Sequence, residues 1–235
     1  MLKIEVITIR HGWTPANEGR QFTGWSQTPL SSLGVEECLA KSKKLQRMQP
    51  FHAVLASPLS RCLETAKLLF PQFRPIIFPE FAERSFGKYE GFNLSENAQK
   101  PEFQNWLDNP TEWPESMESD EQLARRVNYG VQRIAKLARL LSEVPPRELF
   151  SEHVPEGQEP LPLVAQAALH NELRMVLVTH GGVISSLTNQ LAKTTEGLGH
   201  YPQNLEAICY TFLLGDSGLE FVSMRSEAEF LPQEK

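Results

Sequence analysis

The sequence predicts an α/β fold, a three-layer α/β/α sandwich around a mostly parallel central sheet. Short apolar runs of strand length alternate with segments of helical periodicity along most of the 235 residues. The runs are apolar on both faces, as expected for strands that helices cover on both sides of a sheet. A chain with 40% hydrophobic residues can form a sizeable core, so we expect a single domain over residues 1–235.

The first half of the chain contains three predicted strands and two predicted helices. The strands, which are apolar or β-branched for most of their length, cover residues 4–9, 53–56 and 75–78. The helices, whose apolar residues recur at helical spacing, cover residues 35–48 and 59–70. Ser31 or Ser32 is placed to cap the first helix, and Pro50 ends it.

The second half contains a loop region, a long helix and the remaining strands. Residues 82–109 mix aromatic residues, glycine and charges, which is typical of loops with short helices. Ser119 and Gln122 have the spacing of a capping box, and an amphipathic helix follows through 141. Five prolines indicate an exposed insertion at 142–162. Regular structure resumes with a strand at 175–179, a helix that begins at His180-Gly181-Gly182, and a strand pair at 207–214 and 219–223.

Three residues suited to phosphate chemistry follow predicted strands. His11, Arg61 and His180 each lie just beyond a strand's carboxyl end, where α/β folds bind their ligands. One sheet can therefore bring them together. Residues 10–17 add small polar donors and a glycine that permits close backbone approach, although an Arg-His-Gly triplet alone would also suit a surface turn.

Five ordered blocks of sequence carry a family resemblance. Residues 10–17 match the pattern Arg-His-Gly-x-Thr-x-x-Asn throughout. The other blocks fall at 22–34, 57–66, 83–91 and 178–182. On these blocks, which are spread over most of the chain, the sequence resembles the histidine phosphatase superfamily, and this implies a phosphoglycerate mutase-like fold.

The resemblance also implies roles for particular residues. It implies that His11 is the nucleophile and forms a phosphohistidine. Arg10, Arg61 and His180 would surround the transferred phosphoryl group, and they could stabilise its charge with no metal or other cofactor. Glu83 would be the general acid and base, although without the resemblance it would be interpreted as a solvated loop carboxylate. Further phosphate or substrate contacts are expected at Asn17, Thr23, Gly24, Arg84 and Gly181.

A nucleophilic imidazole needs an unprotonated nitrogen in a neutral ring. We therefore expect a carbonyl near Gly12 to accept a hydrogen bond from the other nitrogen of His11. A zinc site at His11 and His180 would need two more ligands, and no Cys or His cluster in the sequence provides them.

Hydrolysis is favoured over transfer between two positions of a substrate. Residues 180–184 lack the His-Gly-Asn-Ser block of the mutase branch, and Arg125 and Arg126 lie in the predicted long helix rather than in a substrate loop. We predict a phosphomonoester phosphatase. A cofactor-dependent phosphoglycerate mutase and a catalytically silent phosphate-binding relative are the alternatives.

The leaving group is harder to predict. Gln27 and Ser185 depart from residues common in the family, and the insertion is unusually long, so the pocket rim is expected to differ. Four aromatic residues near the mouth motivate the hypothesis of a partly apolar or ring-bearing leaving group. They are Phe22, Trp25, Phe86 and Trp106.

Charge and composition bound the partners. A net charge of −6 gives no basic field for nucleic acid or an anionic membrane, so we expect a small phosphorylated metabolite as the partner. No apolar run approaches the ~20 residues that span a bilayer, and the N-terminus has no signal pattern, which predicts a cytoplasmic protein. The three cysteines are predicted to be reduced core residues. The oligomeric state is open, with a homodimer as one alternative.

Overall fold

The computed structural model describes residues 1–48, 50–97, 100–101, 104, 114–143, 172–192 and 200–231. The strands are β1 Leu2–Arg10, β2 Ala53–Ala56, β3 Ile76–Ile77, β4 Glu172–Thr179, β5 Ala207–Gly215 and β6 Gly218–Ser226. The helices are α1 Pro15–Glu18, α2 Ser32–Leu45, α3 Ser60–Leu69, α4 Leu94–Asn97, α5 Asp120–Glu143, α6 Gly181–Ala192 and α7 Glu227–Phe230. Short 3-10 turns cover Gln46–Met48, Pro79–Phe81 and Gly87–Tyr89.

The strands form one sheet in the order β3-β2-β4-β1-β5-β6. The first four of these strands are parallel to one another. The last two pair antiparallel, β5 with β1 and β6 with β5. The predicted mixed α/β fold with a mostly parallel sheet is confirmed, and β1 and β4 are neighbours at its centre.

A hydrophobic core lies on each face of the sheet, because alternate residues of a strand point to opposite faces. Ile4 and Val6 of β1 pack in one core, together with apolar residues of α5 and α6. Ile7 and Ile9 pack in the other core, with residues of α2 and α3. These are the three predicted layers.

Capping residues set the starts of two helices as predicted. Ser31 caps α2 and accepts a hydrogen bond from the Gly34 backbone N–H. The Ser119 hydroxyl accepts from the backbone of Gln122, whose side chain accepts in return from the backbone of Ser119, which completes a capping box. The third strand is shorter than the predicted 75–78, because Pro75 has no N–H to donate and the chain enters a 3-10 turn at Pro79.

Some predictions fall outside the described residues. Helix α5 continues through Glu143, so the insertion predicted at 142–162 begins inside this helix, and its remainder is not described. Trp106 is also not described. In the part of the chain that is described, no helix is long and apolar enough to cross a membrane. The three cysteines are buried and unpaired. The single-domain assignment stays a prediction.

Candidate active site

The carboxyl ends of β1 and β4 bring the two motif histidines together. Arg10 and Thr179 are partners in the parallel register, and the His11 backbone N–H donates to the Thr179 carbonyl at 2.9 Å. The residues that directly follow these two strands are His11 and His180, and both therefore leave the sheet at the same edge. Their ring centroids are 5.2 Å apart, and both side chains are buried.

The imidazole of His11 is held in one neutral tautomer. Its Nδ1 lies 2.8 Å from the Gly12 carbonyl oxygen. Because a carbonyl only accepts hydrogen bonds, Nδ1 carries the proton and Nε2 the lone pair. Burial, followed by the positive charges of Arg61 and Arg10, lowers the pKa of His11 well below its usual 6.5. The ring is thus neutral at physiological pH, as a nucleophile must be.

Two arginines surround this ring without forming an ion pair in the described part of the chain. Arg61 is fully buried and donates to three backbone carbonyl oxygens, those of Thr23, Gly24 and Ser26. Arg10 donates to the Pro202 carbonyl at 2.6 Å, and its guanidinium lies 5.2 Å from the centre of the Tyr201 ring. The Nε atom of each arginine is buried with no hydrogen-bond partner among the described residues. Buried donors are normally satisfied, so this site is suited to an anion.

Glu83 contacts the N-terminus of α6 at Gly182, two residues after His180. Its carboxylate accepts from the backbone N–H of Arg84 at 2.8 Å and from that of Gly182 at 3.3 Å. A Cβ at position 182 would overlap Glu83 Oε1, so a side chain there would displace this carboxylate. The Glu83 carbonyl accepts from the indole N–H of Trp25 at 2.8 Å. Glu83 is therefore fixed through its backbone and its carboxylate.

His180, whose ring contacts that of His11, is fully buried. Its Nε2 is 2.7 Å from the Ser57 hydroxyl and 3.4 Å from the Cys62 sulfur. Burial, followed by the charge of Arg61, lowers the pKa of His180 well below 6.5. The walls of the adjoining pocket include His11, Arg10 and Glu83, whereas Arg61 and His180 are not among the described wall residues. Direct contact of these two residues with a phosphoryl group stays a prediction.

The pocket itself has a volume of about 680 Å³, within the range of small-molecule sites. Beyond the groups above, its walls contain Asn17, Gln21, Phe22, Thr23, Arg84, Phe86, Asp120, Ala124, Gly182, Ser185, Ser186, Asn189, Gln190 and Tyr201. The rings of Phe22 and Phe86 contact each other with centroids 4.8 Å apart. Trp25 is 55% exposed and is used to hold Glu83, so two of the four predicted aromatic residues contribute to the described walls.

The five expected substrate contacts divide into two groups. Asn17, Thr23 and Arg84 are in the pocket walls. Gly24 and Gly181 support neighbouring groups: the Gly24 carbonyl accepts from Arg61, and a side chain at Gly181 would collide with the Tyr201 ring. Direct substrate contact by these two glycines stays a prediction.

Sequence reasoning missed three residues that shape the site. The Asn204 amide donates to the carbonyls of His11 and Gly12, and Tyr201 packs on Arg10. Arg126, which the sequence placed in the long helix rather than in a substrate loop, donates to the carbonyl oxygens of residues 80, 82 and 83. Asn204 and Tyr201 lie in a loop with no motif, whereas the two adjacent arginines on α5 were a signal that one of them could have a partner.

The described residues contain no group of three or more His, Cys, Asp or Glu side chains arranged to hold a metal ion. Glu90, in the matched block 83–91, accepts from the backbone N–H groups of Gly24 and Trp25 and from the Ser26 hydroxyl. Glu90 therefore orders the loop whose carbonyls hold Arg61.

Comparison with known proteins identifies the family of this chain. The model of the histidine phosphatase superfamily (branch 1) matches residues 6–140, more than half of the chain. A metal-independent phosphoserine phosphatase of Arabidopsis thaliana is 26% identical over 190 residues, which are 78% of this chain and 66% of that protein. A 2,3-bisphosphoglycerate-dependent phosphoglycerate mutase of Lactiplantibacillus plantarum is 32% identical over 102 residues, 41% of this chain and 44% of the mutase.

The matches to these two curated relatives thus span less than two thirds of each relative's length. Among solved structures, an α-ribazole phosphatase of Shigella flexneri aligns with a TM-score of 0.68 at 20% identity. The alignment covers 94% of this chain and 96% of that one. At this identity the likeness shows a shared fold.

Proposed function

Because the chain belongs to the histidine phosphatase superfamily, we propose that it hydrolyses phosphomonoesters without a metal ion, through a phosphohistidine at His11. The observation that carries this proposal is the hydrogen bond between His11 Nδ1 and the Gly12 carbonyl, which assigns the lone pair to Nε2. A phosphatase relative described as metal-independent supports the same chemistry.

The reaction has two steps. In the first, the lone pair of His11 Nε2 forms a bond to phosphorus while the bond from phosphorus to the ester oxygen breaks. Glu83, protonated at this stage, gives its proton to the departing alkoxide. In the second, Glu83 takes a proton from water as the water oxygen attacks phosphorus. The nitrogen–phosphorus bond breaks, its electron pair returns to Nε2, and inorganic phosphate leaves.

The surrounding groups stabilise the charge that the phosphoryl oxygens carry. Arg10 and Arg61 supply fixed positive charge next to His11, and each has a buried Nε without a partner among the described residues. Such preorganised donors lower the barrier because they need no reorganisation during the reaction. His180, hydrogen-bonded to Ser57, packs edge-on against the His11 ring and supports it.

The test is a panel of phosphomonoesters assayed in excess chelator, with acid quenching to trap an acid-labile phosphoenzyme. We expect turnover and a trapped phosphoenzyme in wild type. His11→Ala should lose both, with activity lower by at least about 10⁴-fold. Glu83→Gln should retain phosphoenzyme formation from aryl esters but lose about 10²-fold or more in turnover of alkyl esters.

Glu36→Gln, an exposed carboxylate on α2, is the matched control for Glu83→Gln and should behave as wild type. Hydrolysis that survives in His11→Ala would contradict the proposal. Activity that needs a bisphosphorylated primer would indicate the mutase alternative. Phosphate binding with no turnover on any ester would indicate a silent relative.

A further inference from the structure

The part of the pocket beyond His11 and Glu83, which we term the leaving-group region, carries no net charge in the described residues. Two of its side chains are charged, Arg84 and Asp120. The remaining side chains are uncharged: Gln21, Phe22, Thr23, Phe86, Ala124, Ser185, Ser186, Asn189 and Gln190.

The two charges of the leaving-group region neutralise each other. A guanidinium nitrogen of Arg84 lies 2.5 Å from Asp120 Oδ1, and the other terminal nitrogen donates to the Glu118 carbonyl. Arg84 is buried, whereas the Asp120 side chain is 65% exposed. The arginine is thus directed to protein acceptors. A second anionic group on a substrate would meet the carboxylate of Asp120, and no unpaired cation among the described residues of this region would bind it.

The uncharged side chains of the leaving-group region are suited to a neutral polar group or a ring rather than to an anion. Ser185, Ser186, Asn189 and Gln190 come from successive turns of α6, at spacings that place them on one side of the helix. They offer hydroxyl and amide groups that both donate and accept hydrogen bonds. Phe22 and Phe86, in contact with each other, add an apolar surface to the same region. Hydroxyl groups and the flat face of a ring are the features that such walls bind.

We propose that the substrates are phosphomonoesters of a neutral alcohol that bears hydroxyl or amide groups on a ring, with no carboxylate and no second phosphate. This substrate class rests on the proposed function and deepens it. It separates the protein from enzymes whose substrate carries a second anion, because their pockets need an additional cation to bind it.

Matched substrate pairs that differ by one anion test the proposal. The first pair is glucose 1-phosphate and glucuronate 1-phosphate, which differ in a neutral hydroxymethyl group and a carboxylate on the same ring. The second is a nucleoside 5′-monophosphate and the nucleoside 3′,5′-bisphosphate. We expect kcat/KM to be at least about 10-fold higher for the member without the second anion, because like charges in a pocket repel. A preference for the anionic members would overturn the proposal.

Asp120→Asn tests whether the carboxylate of Asp120 causes the preference for substrates without a second anion. The substitution removes the carboxylate and leaves Arg84 with spare positive charge, so the preference within each pair should shrink by about 10-fold. Glu121→Gln is the control, because it removes the same charge from the same first turn of α5 at an exposed position outside the pocket walls. An equal preference in Asp120→Asn and wild type would also overturn the proposal.

Failure of the proposed function gives a different result. If wild type hydrolyses neither member of either pair nor aryl phosphates, the phosphatase assignment fails, and the substrate class fails with it. If it hydrolyses both members of a pair with equal efficiency, or favours the anionic one, the phosphatase assignment stands and the substrate class alone is wrong.

Discussion

The amino end of β1 and its carboxyl end both hold charged side chains, but they are partnered in opposite ways. At the amino end, the buried carboxylate of Glu5 accepts from Lys3 at 3.1 Å, Arg174 at 2.8 Å and Arg225 at 2.7 Å. Burial raises the pKa of Glu5, but the hydrogen bonds from Arg174 and Lys3 outweigh it, and the pKa lies below its usual value. This cluster is satisfied by its own members.

At the carboxyl end, Arg10 and Arg61 donate to backbone carbonyls, and within the described residues neither meets a carboxylate. Burying cations in this way costs stability, because carbonyl dipoles offset less of the desolvation than an opposite charge does. The contrast teaches that charges with a structural role are neutralised inside the fold. Under the proposed function, the phosphoryl group of the substrate would compensate the cations of the active site.

The largest expected effect separates the two ends by activity. Arg61→Met should lower kcat/KM for an aryl phosphate by about 10³-fold, because under the proposed mechanism a positive charge that stabilises the phosphoryl oxygens is lost. Arg174→Met, which removes the same charge from the other end, should change kcat/KM by less than about 2-fold. Steady-state kinetics on both variants, with circular dichroism to confirm folding, makes the comparison. Similar losses in the two variants would show that the ends do not differ in role.

The next effect separates the two ends by stability. Glu5→Gln replaces an ionised acceptor by an amide and weakens three charged contacts, so we expect the free energy of unfolding to fall by about 2 kcal/mol. Activity at a temperature where the variant is folded should be unchanged. Urea denaturation gives the first quantity and kcat/KM the second. An unchanged free energy of unfolding in Glu5→Gln would mean that the charged contacts of Glu5 contribute little to stability.

The strand ends explain why much of the site followed from the sequence. His11, Arg61 and His180 could be placed together because each follows a strand of one parallel sheet, and the carboxyl ends of parallel strands share an edge. A carbonyl near Gly12 that holds the neutral ring of His11 was also predicted from its chemistry. These inferences depend on the local hydrophobic pattern and on the parallel order of the strands, and short segments of the sequence indicate both.

The supporting contacts could not be predicted, because they depend on where distant segments pass. Asn204 reaches the carbonyl of His11 across 193 positions, and Arg126 reaches that of Glu83 across 43. In sequence, Asn204 is an amide in a loop and Arg126 is a cation in an amphipathic helix, and neither position requires a distant partner. The pairing of Arg84 with Asp120 is a similar case, since nothing in either segment shows that the cation is neutralised.

Arg126 is an intermediate case between the two ends, a structural cation next to the site. Arg126→Met removes donors to the carbonyl oxygens that set the position of Glu83, so proton transfer to the leaving group should suffer. We expect kcat/KM to fall about 10-fold for alkyl phosphates and less than about 3-fold for p-nitrophenyl phosphate, whose leaving group needs no proton.

Arg125→Met is the matched control, since the neighbouring side chain is exposed and donates only within α5 among the described contacts. Equal losses on alkyl and aryl substrates in Arg126→Met would show that the residue only stabilises the fold and does not position the acid.

The smallest effect concerns acid pH, where the two ends should lose stability in separate windows. The pKa of His11 is lowered well below 6.5, so as pH falls through 6.5 the unfolded chain binds a proton there that the folded chain does not. Stability therefore falls, by about 1 kcal/mol for this one group between pH 6.5 and 5.5. Replacing it with a residue that does not titrate, as in His11→Asn, should remove that part of the loss.

Glu5 acts at lower pH, because its pKa is below the usual 4.5 in the folded state. The unfolded chain gains a proton near pH 4.5 while folded Glu5 stays ionised, so its contribution is lost only as pH falls further. Urea denaturation from pH 7.5 to 4 should thus show His11→Asn diverging from wild type below pH 6.5. Glu5→Gln should run parallel to wild type until about pH 4.5. If Glu5→Gln diverged from wild type below pH 6.5 and His11→Asn only below about pH 4.5, the neutral state assigned to His11 and the ionised state assigned to Glu5 would both be wrong.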